Sequence, residues 1–290
     1  MSSITHHPDL SHFLRHAGSA LSRGPIALIM MEDDVELAAT IRHHSAIGFR
    51  TIVAFGAKDI GVPDGLDVPV HWVVHDMTHD AALETAVNGV IAAAPGVWMY
   101  YCYNAEFLHF PFCEDRTVGE MLTFHAEERR SAMLTFVVDL YARDLGACPN
   151  AVSLEDAAFD TTGYYALARW NGKDYEDRQF DFFGGLRWRF EEHIPWTRRR
   201  IDRIGLFRAA KGLELRPDHT FNIEEYNTYA CPWHNNVTAA ICSFRIAKAL
   251  KRNPGSRSAI GDFTWKGSAP FQWTSGQLMD LGLMEPGQWF

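Results

Sequence analysis

The run Pro25-Ile26-Ala27-Leu28-Ile29-Met30-Met31, closed by Glu32-Asp33-Asp34, decides the fold. A short continuous apolar run between a turn signal and an acidic cluster predicts a strand buried on both faces. Val35, Leu37, Ala38, Ile41 and Ile47 then recur at helical spacing, and Gly48 supplies a stop. Thr51-Ile52-Val53-Ala54-Phe55 predicts a second strand, so the unit is β-α-β with parallel strands and a right-handed crossover. The pattern repeats: a strand at Val70-His71-Trp72-Val73-Val74, an Ala-rich helix from Thr78 to Ala94, and a strand from Val97 to Cys102. Such alternation predicts an α/β protein with a mostly parallel, Rossmann-like sheet flanked by helices. Ligands of these sheets bind at the carboxyl ends of the strands, which points to the loops after Met31, Phe55 and Cys102.

Further along, Thr117-Val118-Gly119-Glu120 is a capping box that opens a helix running to about Leu145. Residues 150–235 carry many aromatics, including Phe182-Phe183-Gly184-Gly185-Leu186-Arg187-Trp188-Arg189-Phe190, a Gly-hinged segment of strand or loop character. A final amphipathic helix is expected from about Val237 to Lys251. Residues 1–24 read as a flexible or helical N-terminal extension, 25–251 as one large domain, and 252–290 as a turn-rich tail.

The chain has 290 residues, 47% hydrophobic and 22% charged, a balance that supports a sizeable core and excludes disorder and collagen-like order. A formal charge of -9 argues against a nucleic-acid partner. The one basic run, Arg198-Arg199-Arg200 with Arg203, reads as a solvated helix face, contact with phosphate or anionic lipid being the rarer use. Cys102, Cys113, Cys148, Cys231 and Cys242 are odd in number and form no CxxC, so neither a disulfide framework nor a zinc ribbon is implied. The N-terminus lacks the apolar region of a secretory signal, and no run approaches the roughly 18 apolar residues of a membrane span. The expected location is the cytoplasm, with peripheral attachment to the inner membrane through a partner as an option.

Each suspect loop has a chemical and a structural reading. A carboxylate among Glu32, Asp33 and Asp34 either bonds a base or ribose or favours the following helix N-terminus, the commoner use. Asp59 holds a nucleotide or caps a turn. Asn104 and Glu106, in Tyr103-Asn104-Ala105-Glu106, offer oxygen ligands suited to Mg²⁺ or Mn²⁺ carrying a diphosphate. Such sites gather two acids to neutralise charge developing on the leaving group, and here one is missing. His219 and His234 are more often structural than ligating in such settings. Cys231 and His234 have C-x-x-H spacing but no second pair to complete a zinc site. No GxSxG, P-loop, HExxH or GxGxxG is present.

Taken together, several stretches have a recognisable order: Met31-Glu32-Asp33-Asp34; Tyr103-Asn104-Ala105-Glu106-Phe107-Leu108 with Pro111; Val138-Asp139-Leu140-Tyr141; Phe159-Asp160-Thr161-Thr162-Gly163-Tyr164; Gly184 to Phe190; Leu206-Phe207-Arg208; His219; and His234 with Phe244 and Lys248. Over about residues 25–251 this order resembles the family 2-like glycosyltransferases of the GT-A fold, in a bacterial branch. The resemblance implies a nucleotide-binding half (25–115), joined to an acceptor-side α+β half (116–251). It implies transfer of a sugar from a nucleotide-diphosphate-sugar to a glycan or other hydroxyl acceptor, in cell-surface glycan synthesis, with Mg²⁺ or Mn²⁺. Glu32, Asp33 and Asp59 would lie near the nucleoside, with Arg189 as a further donor contact. Asn104, Glu106 and His234 would form the metal set, Glu106 also serving catalysis, and Asp139 would be a candidate catalytic carboxylate. The sequence departs from the family where Tyr103 and Ala105 replace the two metal-side aspartates. Phe55-Gly56-Ala57-Lys58-Asp59 likewise replaces the usual D-N-x-S-x-D.

Two classes of function follow. An active transferase needs a general base, for which Asp139, Glu127 and Asp181 are candidates, and in it Glu106→Ala abolishes transfer and cation dependence. A catalytically inactive relative keeps the fold as a binding or assembly module. A hydrolase with a Cys231, His219 and His234 metal site is a third option.

Overall fold

The computed structural model describes residues 4–228 and 236–289. Its strands are β1 Ile4–His7, β2 Ile26–Met31, β3 Thr51–Gly56, β4 Val70–Val74, β5 Trp98–Tyr103, β6 Glu106–His109, β7 Ala132–Ala142, β8 Ala157–Asp160, β9 Tyr165–Trp170, β10 Tyr175–Phe183, β11 Asp202–Arg208, β12 Ala239–Ser243 and β13 Ser268–Pro270. One mixed sheet runs in the order β1-β4-β3-β2-β5-β11-β7-β12-β6. β1 to β5 pair in parallel, β11 is antiparallel to both β5 and β7, β12 is parallel to β7, and β6 is antiparallel to β12. β8 joins the far end of β7 with β13 beside it, and β9 with β10 forms a separate hairpin. The architecture is α/β, a large, partly parallel sheet flanked by helices.

β2 shows why its sequence is apolar throughout. Ala27, Ile29 and Met31 pack on the face covered by helices Leu37–Ala46 and Val118–Glu127. Ile26, Leu28 and Met30 pack on the other, against Phe13 of helix Leu10–His16 and helix Ala82–Ala93. Strand side chains alternate between faces, so cover on both sides removes any polar positions.

Several expected elements are corrected. The helix opened by the Thr117 capping box ends at Glu127, and Met133 to Ala142 belong to β7. Arg129, in a left-handed conformation, breaks the helix, and the apolar run beyond it lies between β11 and β12. The helix expected from Val237 is strand β12 followed by helix Arg245–Arg252. The helix expected at Thr78 starts at Ala82, because Thr78 bonds Asp76 through both its N–H (2.9 Å) and its hydroxyl (2.8 Å) and so closes a turn. Leu186 to Arg189 lie in one helical turn, Gly185–Arg189, and not in a strand or loop. The N-terminal stretch includes helix Leu10–His16, but Ile4–His7 is an edge strand of the sheet. In the tail, Ser268–Pro270 extends the β8 margin. No helix among the described residues is long and apolar enough to cross a membrane.

Four core histidines make this fold acid-sensitive. His44 donates from Nδ1 to the Thr40 carbonyl at 2.8 Å, with its ring 5.2 Å from Tyr100. Burial, then the neighbouring His43, pushes its pKa down to about 3. Burial likewise lowers His109 to about 3, and His7 and His125 to about 4. Unfolded histidine titrates near 6.5. Between that value and about 4 the unfolded chain therefore binds protons that the folded chain refuses, and stability falls as pH falls. Asp139 opposes this, since burial raises it to about 6 and the fold keeps its proton. The lowered histidines outnumber this one opposing carboxyl, so unfolding near pH 5 takes up protons on balance. Urea unfolding should show a midpoint dropping steeply from pH 7 to pH 5; a level midpoint contradicts this assignment.

Candidate functional site

A cavity of about 590 Å³ opens at the carboxyl edge of the parallel strands. Its walls come from Glu32 and Asp33 after β2, residues 77–84 after β4, and Tyr103 at the end of β5. Asp202 and Arg203 contribute because β11 runs antiparallel and begins where its neighbours end. Arg187, Arg198, Arg200, Asp218, His219, Arg245, Lys248 and Arg252 are also part of the wall.

Glu32 and Asp33 are thus at the cleft as expected, but both are ion-paired. Arg245 donates to the Glu32 carboxylate through Nε (2.8 Å) and Nη2 (2.7 Å). Burial alone raises the Glu32 carboxyl, and the Arg245 charge and hydrogen bonds reverse this, so it stays ionised. Lys248 Nζ donates to both Asp33 oxygens at 2.9 and 3.0 Å, and Arg252 lies 2.8 Å from Asp33 Oδ2.

Asn104 and Glu106 do not face the cleft, which corrects their assignment as metal ligands and that of Glu106 to catalysis. Asn104 is fully buried and clamps the β2 exit: its Oδ1 accepts from the Glu32 N–H, and its Nδ2 donates to Asp33 and to the Val35 carbonyl. Glu106 is also 0% exposed. Its oxygens accept from Arg203 Nη1 (2.8 Å) and Nη2 (3.3 Å), from the Ser243 hydroxyl (3.0 Å) and from the Tyr103 N–H (2.9 Å). Burial works against ionisation, but Arg203 outweighs it and holds the carboxyl well below the usual range. A carboxylate so surrounded has no lone pair directed at a cation in the cleft. His234, the third expected ligand, and Cys231 lie outside the described residues. Among the described residues no group of three or more His, Cys, Asp or Glu is placed to hold a metal, so Asn104 and Glu106 as they are placed do not fit the expected cation.

The other predicted residues lie elsewhere. Asp59 is exposed in the turn after β3 and does not line the cleft. Arg189 binds Asp160 (2.9 and 3.1 Å) and the Phe263 carbonyl (2.6 Å), away from the cleft lining, so it is a structural tie and not a donor contact. Asp139 lies behind the wall, 1% exposed, accepting from the Arg187 backbone N–H and Nε, each at 3.4 Å. Gly185, at φ 60°, lets the chain pass close to it; a Cβ there would fall 3.0 Å from Asp139 Oδ2. Asp139 therefore positions Arg187 and cannot itself reach an acceptor. Glu127 is exposed at a helix end, and Asp181 pairs with Arg169 and Arg200.

The cationic wall was the missed feature. The 198–203 run is no solvated helix face: Arg198, Arg200 and Arg203 all line the cleft, and Arg203 is 2% exposed. Its signal was a pair of charged residues, Asp202 and Arg203, inside the otherwise apolar run Ile201 to Phe207, each of which requires a buried partner. His219 was also missed for this cleft. It lies in a left-handed conformation at φ 63°, with Nδ1 3.0 Å from the Tyr101 hydroxyl. Burial first, then Arg203, Arg245, Arg187 and Arg200, holds it neutral. Compared with known proteins, the chain matches no family model and no curated sequence.

Proposed function

We propose that the chain binds a nucleoside diphosphate sugar in this cleft and transfers the sugar to a hydroxyl acceptor, as a GT-A-like glycosyltransferase. The observation that carries the reading is a cavity of about 590 Å³ at the carboxyl ends of β2, β4 and β5, lined by six arginines interleaved with six carboxylates. Open α/β sheets bind ligands at that edge, and guanidinium forks suit phosphate oxygens. The arrangement also agrees with the resemblance, since a Rossmann-like half meets a later half across one cleft. Transfer breaks the bond between the anomeric carbon and the diphosphate, while the acceptor oxygen forms a new bond and loses its proton. The wall's cations stabilise the departing diphosphate, and the exposed wall acids Asp80 and Asp218 are the available proton acceptors.

A second reading, a non-catalytic binding module, draws on the inward-turned Asn104 and Glu106. Calorimetry with UDP-glucose and GDP-mannose, followed by an assay for released nucleoside diphosphate, separates the two. Heat with release supports the transferase; heat without release supports the module. No heat from a panel of such donors at millimolar concentration overturns both.

A further inference from the structure

We infer that guanidinium groups hold the diphosphate in this cleft in place of a divalent cation, a deepening that rests on reading the cleft as a nucleoside diphosphate site. The first observation is what occupies the expected cation position. Tyr103, at the end of β5, presents its ring to the Arg245 guanidinium at 3.5 Å from the ring centroid, and Arg203 lies 5.6 Å from the same centroid. An aromatic face attracts a guanidinium through the ring quadrupole. A fixed positive group therefore stands where an acidic side chain would have recruited a mobile one.

The second observation concerns unused donors. Arg187 is 7% and Arg203 2% exposed, and both line the cavity. Arg187 gives Nη1 to the Arg200 carbonyl at 2.7 Å and Nε to Asp139, while its Nη2 has no partner among the described residues. Arg203 gives both terminal nitrogens to Glu106, and its Nε has no partner among the described residues. A buried donor without an acceptor is costly; both atoms are closed off from solvent, so a ligand oxygen satisfies them only after the two side chains shift toward the cavity they line.

The third observation is rigidity. Arg187, Arg203 and Arg245 are each anchored to a carboxylate, Asp139, Glu106 and Glu32 respectively. These partners offset much of the net charge, so recognition depends on directed N–H donors and not on a broad positive field. They also remove the side-chain entropy that free arginines lose on binding. Arg198, exposed at the mouth, adds a mobile cation.

The test is calorimetry of the full chain with UDP and with inorganic pyrophosphate, in EDTA and in Mn²⁺. Binding of both probes in EDTA, changed less than about threefold by Mn²⁺, is expected. Arg245→Gln, at a partly exposed side chain beside Glu32, and Arg187→Gln should each weaken pyrophosphate binding at least tenfold. Circular dichroism and melting temperature identify variants that remain folded, and Arg245→Gln is the variant that decides if Arg187→Gln does not fold. Binding seen only with Mn²⁺ overturns the inference and leaves the nucleotide-sugar reading standing. Unchanged affinity in a folded Arg245→Gln overturns it too, and silence from both probes in either buffer defeats the inference and the cleft assignment together.

Discussion

Truncating Glu106 to Ala is expected to cost about 3–5 kcal/mol of unfolding free energy, the usual penalty for stranding one member of a buried ion pair. The partner left behind is Arg203, 2% exposed, whose two terminal nitrogens both bond Glu106. The Ser243 hydroxyl and the Tyr103 N–H lose their acceptor as well. A metal ligand would behave differently: its loss would alter cation affinity with little change in stability. Urea unfolding with and without Mn²⁺ distinguishes the two, because the structural role gives the same large loss in both. A double variant, Glu106→Leu with Arg203→Met, removes both charges and should recover much of the stability, since replacing a whole buried pair with apolar groups is often neutral. A loss below about 1 kcal/mol in Glu106→Ala would contradict the internal assignment.

The second large effect is expected at Asp160. Its carboxylate, 1% exposed, accepts from Arg189 Nη1, the Tyr141 hydroxyl (2.7 Å) and the Trp265 indole N–H (2.8 Å). These partners come from β7, the Gly185–Arg189 turn and the segment before β13, so one side chain ties three parts of the molecule. Arg189 also lies over the Trp265 ring at 4.9 Å. Asp160→Ala leaves a guanidinium, a hydroxyl and an indole donor facing a void, at a cost of about 3–5 kcal/mol. Asp160→Asn keeps the volume and one acceptor, and its loss should fall between Ala and the parent. Equal stability of Asp160→Ala and the parent by urea unfolding would show that the ties are redundant.

The contrast between Thr117 and β7 shows which signals can be read along a chain. The capping box was legible because both of its hydrogen bonds join residues three apart, and the structure has them. β7 has no such signal, because its second half is buried without interruption and an unbroken apolar run has no period to tell strand from helix. β12 lacks one for the same reason. Glu32 and Asp33 line the cavity because the carboxyl end of a parallel strand opens at that edge of the sheet wherever its neighbours come from.

Local order along the chain was enough to establish the β-α-β half, its two-sided burial and the sheet edge at which the cavity opens. Those features depend on residues within a few turns of one another. The direction in which Glu106 points was decided only by tertiary structure, because Arg203, which captures it, lies 97 residues further on. The same distant strand brings Arg203 beside Tyr103 and puts guanidinium groups on the wall of the cleft. A side chain at a strand end can serve the core or the cavity with equal local propensity, and the choice falls to whichever partner the fold brings to it.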